Sequence, residues 1–149
     1  MVHALNKGKA AEREVVNLLE PIVQAVYKEL DIGTGDKVIQ RNQNQSSVGG
    51  CDLSNTFGLA IEVKRQETLN LNAWWKQTCK SAERNQELPV LIYRQSHKSW
   101  NVVMHVAVEL PYNQKLSVVG QISIDDFLIW FEQWVRFYLM QNDGATPRV

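Results

Sequence analysis

The apolar positions of residues 8–30 recur with the period of a helix, and this predicts one long helix over that stretch. On a wheel of 100° per residue from Ala10, the residues Ala11, Val15, Val16, Leu18, Leu19, Ile22, Val23, Val26, Tyr27 and Leu30 fall between about 80° and 260°. Pro21 lies inside the stretch and predicts a kink or a break there. Lys37 to Arg41 read as a short strand, and Asn42 to Gly50 as a polar loop ending in glycine. Cys51 to Ser54 and Leu59 to Arg65 read as two strands joined through Asn55 to Gly58. A second helix follows over Asn72 to Asn85, with Asn72 as its N-cap. Pro89 to Arg94 and Trp100 to Val108 are strands rich in β-branched and aromatic residues, and Leu116 to Val119 is a further strand candidate. Ser123 opens a last helix through Gln141, with Asp126 where a capping box has Glu. The two ends, Met1 to Asn6 and Asn142 to Val149, have little to tie them down. This order of elements predicts a mixed α/β domain, one sheet with helices on its faces.

The last helix carries an unusually wide apolar face. Ile124, Phe127, Leu128, Trp130, Phe131, Trp134, Val135, Phe137, Tyr138 and Leu139 span about 200° of its wheel, where roughly 100° suffices for a surface helix. Either the helix is sandwiched within the domain, or its far side meets another subunit. A homodimer is the expectation, with Phe131 and Trp134 at its interface.

Composition narrows the class. A chain of 149 residues is one domain's worth, so residues 1–149 are read as a single unit. No apolar run approaches the roughly 18 residues needed to cross a bilayer, and no secretory leader pattern is present. Two cysteines, Cys51 and Cys79, are too few for a disulfide scaffold and read as reduced thiols. Together these features lead to the expectation of a cytoplasmic protein, in the host cell if the source is viral. Net charge is zero, which taken alone argues against a nucleic-acid partner. Its distribution weakens that argument. Residues 1–100 hold thirteen Lys/Arg against eleven Asp/Glu, and residues 101–149 hold three against five. Three metal-bound acids would leave the first part distinctly basic.

The candidate chemistry lies in that first part. Glu12 falls near 200° on the helix wheel, inside the apolar stripe, whereas Glu14 falls near 40°, outside it. A carboxylate aimed into a core needs a cationic partner, a proton or a metal; solvation at an exposed first turn is the alternative. Along Leu59 to Arg65 the side chains alternate, so Ala60, Glu62 and Lys64 share one face. Asp52 precedes Glu62 by ten residues, and pairing of the two strands would set the carboxylates side by side. Adjacent carboxylates repel unless a proton or a cation sits between them, and Mg²⁺ favours oxygen ligands of this kind. An exposed face of ordinary alternating charge is the plain alternative.

Other features are less specific. Trp74 and Trp75 face about 100° apart and are read as one core and one interface residue, with base stacking as the alternative. Lys76, Lys80 and Arg84 form a basic stripe along the second helix, suited to a phosphate backbone or simply solvated. The three histidines show no metal-ligand spacing.

Taken together, Lys7-Gly8, Glu12-Arg13-Glu14, Arg41, the Ser/Gly loop, Asp52 and Ile61-Glu62-Val63-Lys64 resemble the archaeal-type Holliday junction resolvases of the PD-(D/E)xK nuclease superfamily. The resemblance covers roughly residues 7–66. It implies a restriction-endonuclease-like fold, a mixed central sheet flanked by helices. It implies a Mg²⁺-dependent endonuclease, Mn²⁺ substituting, that cuts branched double-stranded DNA at paired sites as a homodimer. By position, Glu12, Asp52, Glu62 and Lys64 would be the catalytic residues. Glu12, Asp52, Glu62 and the Val63 carbonyl would be metal ligands, and Lys64 would orient water or stabilise phosphorane charge. Arg13 and Arg41 would hold phosphates, and Ser46 or Ser47 would be the loop serine near them. Lys7, Lys9 and Arg65 complete the DNA-binding candidates. Cys51 stands where the family has proline or a small apolar residue, and the neutral charge is unusual for a junction binder. The alternatives are a restriction- or repair-type nuclease of the same superfamily, or a non-catalytic DNA-binding relative.

Overall fold

Strand β3 (Leu59–Arg65) forms where the sequence alternates small, apolar and charged residues, and it is buried on both faces for five of its seven positions. That two-sided burial suits a parallel pairing with a helical crossover. The computed structural model describes residues 2–33, 35–42 and 51–142. In chain order the elements are α1 (Val2–Glu29), β1 (Gln40–Arg41), β2 (Leu53–Ser54), β3, α2 (Leu71–Asn85), β4 (Leu88–Arg94), β5 (Asn101–Leu110), β6 (Gln114–Ser123) and α3 (Ile124–Asn142). The four-stranded sheet has the order β3-β4-β5-β6. β3 and β4 are parallel, with Ile61 opposite Val90 and Arg65 opposite Arg94. β4, β5 and β6 run antiparallel. β1 and β2 form a separate two-stranded pair.

The alternation of β3 assigns its two faces. Leu59, Ile61 and Val63 join Val90, Ile92, Val102 and Met104 in the main core. That core is closed by the apolar stripe of α1 and by Phe127, Phe131, Val135 and Leu139 of α3. The opposite face carries Ala60 and Glu62, with Leu91, Tyr93 and Val103, and α2 packs over it. The architecture is thus a mixed central sheet flanked by helices. Among the described residues no helix is long and apolar enough to cross a membrane.

Several boundaries differ from expectation. The first helix begins at Val2 rather than residue 8, and it passes through Pro21 without a break. Pro21 is exposed, while Leu19, Val23 and Val26 on either side are fully buried. Packing of those flanking residues outweighs the one backbone bond that proline removes. Residues 37–39 are not strand, and β2 is only two residues long. Backbone amides of residues 38 and 39 instead donate to the Glu20 carboxylate. α2 begins at Leu71 after Asn70, so Asn72 is inside the helix and not its cap. β6 is ten residues long rather than four, because it pairs with β5 along the whole hairpin. Ser123 does cap α3, its Oγ accepting from the Asp126 amide at 3.1 Å.

Candidate active site

Asp52 reaches β3 through backbone geometry rather than through a strand pair. Its N–H donates to the Ile61 carbonyl at 3.1 Å, and its carbonyl accepts from the Asn42 N–H at 2.8 Å. Its carboxylate Oδ2 accepts from the Val63 N–H at 2.7 Å. The expected pairing of two strands is absent, since β2 pairs with β1. The proximity it was meant to produce is present, for Asp52 and Glu62 are hydrogen-bonded through their side chains. Both are buried, at 8% and 2% exposure. Because Val63 directs its N–H to the outer edge of β3, its C=O faces the same edge, away from β4.

Burial sets the electrostatics of this pair. It raises both carboxyls, and the neighbouring Asp52 charge helps push Glu62 up to about 9. Ionising both would set two buried like charges side by side, a repulsion that a proton or a cation between them relieves. Lys64 acts on both carboxylates from the same strand. Ser81 of α2 hydrogen-bonds Glu62 from above the sheet. Sequence reading missed Ser81; its signal was the run of small or polar residues Thr78, Ser81 and Ala82 along one face of α2, all of them buried.

Glu12 is buried on α1, as its position in the apolar stripe predicts, and its compensation is a cation. Arg41 Nε donates to Glu12 Oε2 at 2.8 Å. The register of β1 on β2 places Arg41 opposite Leu53, next to Asp52, and Glu12 adds its charge to the field on Asp52.

The remaining candidates divide by their partners. Lys9 and Arg13 are exposed. Lys7 pairs with Glu67 at 2.9 Å. Arg65 pairs with Glu14 at 3.1 Å, and Arg94, its register partner on β4, shares the same carboxylate at 3.0 Å while lying over the Trp100 ring at 5.0 Å. Ser46 and Ser47 lie outside the described residues. A cleft of about 360 Å³ beside Glu12 is lined by Arg13, Val16, Asn17, Lys37, Gln40 and Arg41.

Trp74 and Trp75 both pack on the core cluster of Leu91, Tyr93 and Val103. Both are half-buried on the α2 face of the sheet, against Tyr93 and His105 respectively. Lys76, Lys80 and Arg84 are exposed along α2. Cys51 is buried, its thiol donating to the Leu53 carbonyl at 3.2 Å, and burial pushes it up to about 11. Such a thiol is inert, consistent with a bystander.

A family model described as "Phage putative PDDEXK endonuclease" matches residues 4–135. The chain belongs to this family. In this PDDEXK endonuclease the matched span includes Glu12, Asp52, Glu62 and Lys64, so family membership agrees with the superfamily resemblance seen in the motifs. Among solved structures it is similar to Hjc, a Holliday junction resolvase from the archaeal hyperthermophile Archaeoglobus fulgidus, with a TM-score of 0.47 and 15% identity. That likeness covers 82% of this chain and 95% of the other. No curated protein matches the sequence.

PD-(D/E)xK nucleases use divalent metals, and the donors present fit that requirement. Asp52, Glu62 and the edge-facing Val63 carbonyl are hard oxygen donors, the kind Mg²⁺ takes. The two buried carboxylates stand close enough that a cation between them would relieve their repulsion. Among the described residues no three His, Cys, Asp or Glu side chains stand ready to hold a metal together. The third candidate, Glu12, is engaged by Arg41.

Proposed function

We propose that this endonuclease resolves four-way DNA junctions by paired, Mg²⁺-dependent phosphodiester hydrolysis, with Mn²⁺ as a working substitute, and that it acts as a cytoplasmic homodimer. The observation that carries the hydrolytic part is the buried Asp52–Glu62 pair with Lys64 beside it.

Asp52, Glu62 and the Val63 carbonyl would hold the cation, with Glu12 completing the set. When bound, the cation supplies an activated water and neutralises charge on the attacked phosphate. Lys64 presents a compact ammonium, suited to orient a water or a phosphoryl oxygen. The Val63 amide fixes the Asp52 carboxylate, and Ser81 fixes Glu62, so neither side chain has to be ordered when DNA arrives. Lys9 and Arg13 would contact phosphates directly, and Arg41 would do so from its ion pair with Glu12. Lys7 and Arg65 would do so from existing ion pairs.

The junction part rests on the opening Lys7-Gly8 and Glu12-Arg13-Glu14 followed by Ile61-Glu62-Val63-Lys64. A four-way junction has approximate two-fold symmetry and needs two cuts, which a symmetric dimer with two sites would match. Two residues of α3, Ile129 and Phe137, are exposed at 68% and 62% and offer apolar surface for such an assembly.

The test uses a four-way junction and a linear duplex of shared sequence, each with Mg²⁺ and with EDTA. Symmetric, metal-dependent nicks near the junction centre, with little duplex cleavage, are the expected result. Equal cutting of both substrates would keep the nuclease and remove the junction preference. No cutting of either would favour a non-catalytic DNA-binding relative.

A further inference from the structure

The Arg41 guanidinium stands between two sites. Its Nε is committed to Glu12 at 2.8 Å, while the same residue lines the cleft with Arg13 and Lys37. That cleft brings together three cations and the amides of Asn17 and Gln40, and among the described residues no carboxylate lines it. Such a lining fits the phosphodiester backbone, which guanidinium and ammonium groups bind by charge-assisted hydrogen bonds. On the other side, Glu12 is a buried carboxylate, and a buried charge needs a partner. As it lies, the Arg41 ion pair engages it, and among the described residues no three-ligand metal cluster is assembled.

We propose that Arg41 couples substrate to metal: a DNA phosphate seated in the Arg13–Lys37–Arg41 cleft draws Arg41 off Glu12, and so releases Glu12 to a divalent cation. This rests on the reading that Asp52 and Glu62 hold a cation and that the substrate is DNA, but not on junction preference. The exchange keeps every charge paired. Arg41 gives up a carboxylate and gains a phosphate; Glu12 gives up a guanidinium and gains a cation. Drawing Arg41 off alone takes a cationic partner from the buried Glu12 carboxylate, and a cation taking Glu12 alone leaves Arg41 without that carboxylate. Linkage then makes the effect reciprocal, so DNA tightens metal binding by the factor by which metal tightens DNA binding. Arg41 is thus a positioning residue, and Lys37, which the motifs did not single out, joins the DNA-binding set.

The test measures Mn²⁺ binding to the DNA-free protein, from the loss of the free-ion paramagnetic resonance signal. Binding should vanish in Asp52→Asn. Arg41→Ala should bind Mn²⁺ roughly tenfold more tightly than wild type, inside the usual range of site couplings. Arg13→Ala and Lys37→Ala remove a cation from the same cleft without touching Glu12, and they should leave Mn²⁺ affinity near wild type. Fluorescence anisotropy with a short duplex in EDTA should show all three variants binding DNA more weakly. Opposite signs for metal and DNA in Arg41→Ala are what a merely structural arginine would not give. Unchanged or weaker Mn²⁺ binding in that variant overturns the coupling, as does equal tightening in Arg13→Ala and Lys37→Ala, which would be simple charge removal. Should Arg41→Ala not fold, Arg41→Lys keeps the charge without Nε and should give an intermediate tightening; wild-type affinity there overturns the proposal. Absence of any Asp52-dependent Mn²⁺ binding in wild type would instead sink the underlying reading of the site.

Discussion

Asp52 is registered on Val63. The 2.7 Å bond from the Val63 amide to the Asp52 carboxylate fixes one acid against the strand that carries the other, Glu62, and the cation, Lys64. Three chemically distinct side chains from two chain segments are thus located by one backbone donor. Their separate roles predict separable losses. Asp52→Asn and Glu62→Gln preserve shape and remove charge, so each should cut cleavage by at least about a hundredfold, the scale of losing a preorganised electrostatic group. Duplex binding in EDTA should persist, because the Arg13–Lys37–Arg41 cleft is not lined by either carboxylate. Single-turnover nicking alongside anisotropy checks both; near wild-type cutting in either variant would misplace the site.

The same pair predicts an unusual stability profile for the metal-free protein. Glu62 is pushed up to about 9 in the fold, against an ordinary value of 4.5. The folded state therefore holds more protons than the unfolded chain between those values, and stability falls as pH rises through that window. Below it both states are protonated, and above it both are ionised, so the slope disappears at each end. Melting temperatures in EDTA should decline across the window in wild type, and Glu62→Gln should flatten the decline. Parallel curves would show that Glu62 ionises freely in the folded protein.

How far the sequence reveals this arrangement depends on the range of each interaction. β3 is legible to the residue, since alternation along Leu59–Arg65 is a local pattern. The buried position of Glu12 is equally local, a matter of angle on α1. What escapes is set by tertiary contact. Nothing near Asp52 announces that β2 pairs with β1 instead of β3. Ser81 meets Glu62 only because the β3–β4 crossover lays α2 over that face. The length of β6 follows from its partner β5, whose outer half lies beyond the end of β4, so neither strand's own hydrophobicity marks the hairpin's reach.

The wide face of α3 resolves into two classes, which corrects the expected interface. Phe131 is fully buried in the main core, and Trp134 donates its Nε1–H to the Phe57 carbonyl at 2.9 Å. Phe131 is therefore unavailable to a partner subunit, whereas Trp134 is half-buried. Phe131→Ala should cost about 3–5 kcal/mol, the usual penalty for removing a buried phenyl ring, seen as a lower denaturant midpoint. Phe137→Glu and Ile129→Glu change exposed positions and should leave the fold intact. If α3 pairs two subunits, sedimentation will show these charged variants at half the wild-type mass. An unchanged mass would remove α3 from the assembly.

The basic candidates should separate by whether they already have an internal partner. Arg13 is exposed on α1 and lines the cleft, and a phosphate there would be a new contact. Arg65 shares Glu14 with Arg94, and a phosphate would have to compete with that carboxylate. Removing one cation that neutralises a phosphate lowers the slope of log affinity against log salt by roughly one. Arg13→Ala should therefore reduce the slope by about one and weaken binding uniformly across sequences. Arg65→Ala should change the slope less, because the free protein gives up an ion pair at the same time. Its larger effect should be on stability, where Glu14 is left with Arg94 alone. Duplex titrations at several salt concentrations, paired with melting curves, distinguish the two. A full unit drop in slope for Arg65→Ala would show that this arginine leaves Glu14 to bind DNA.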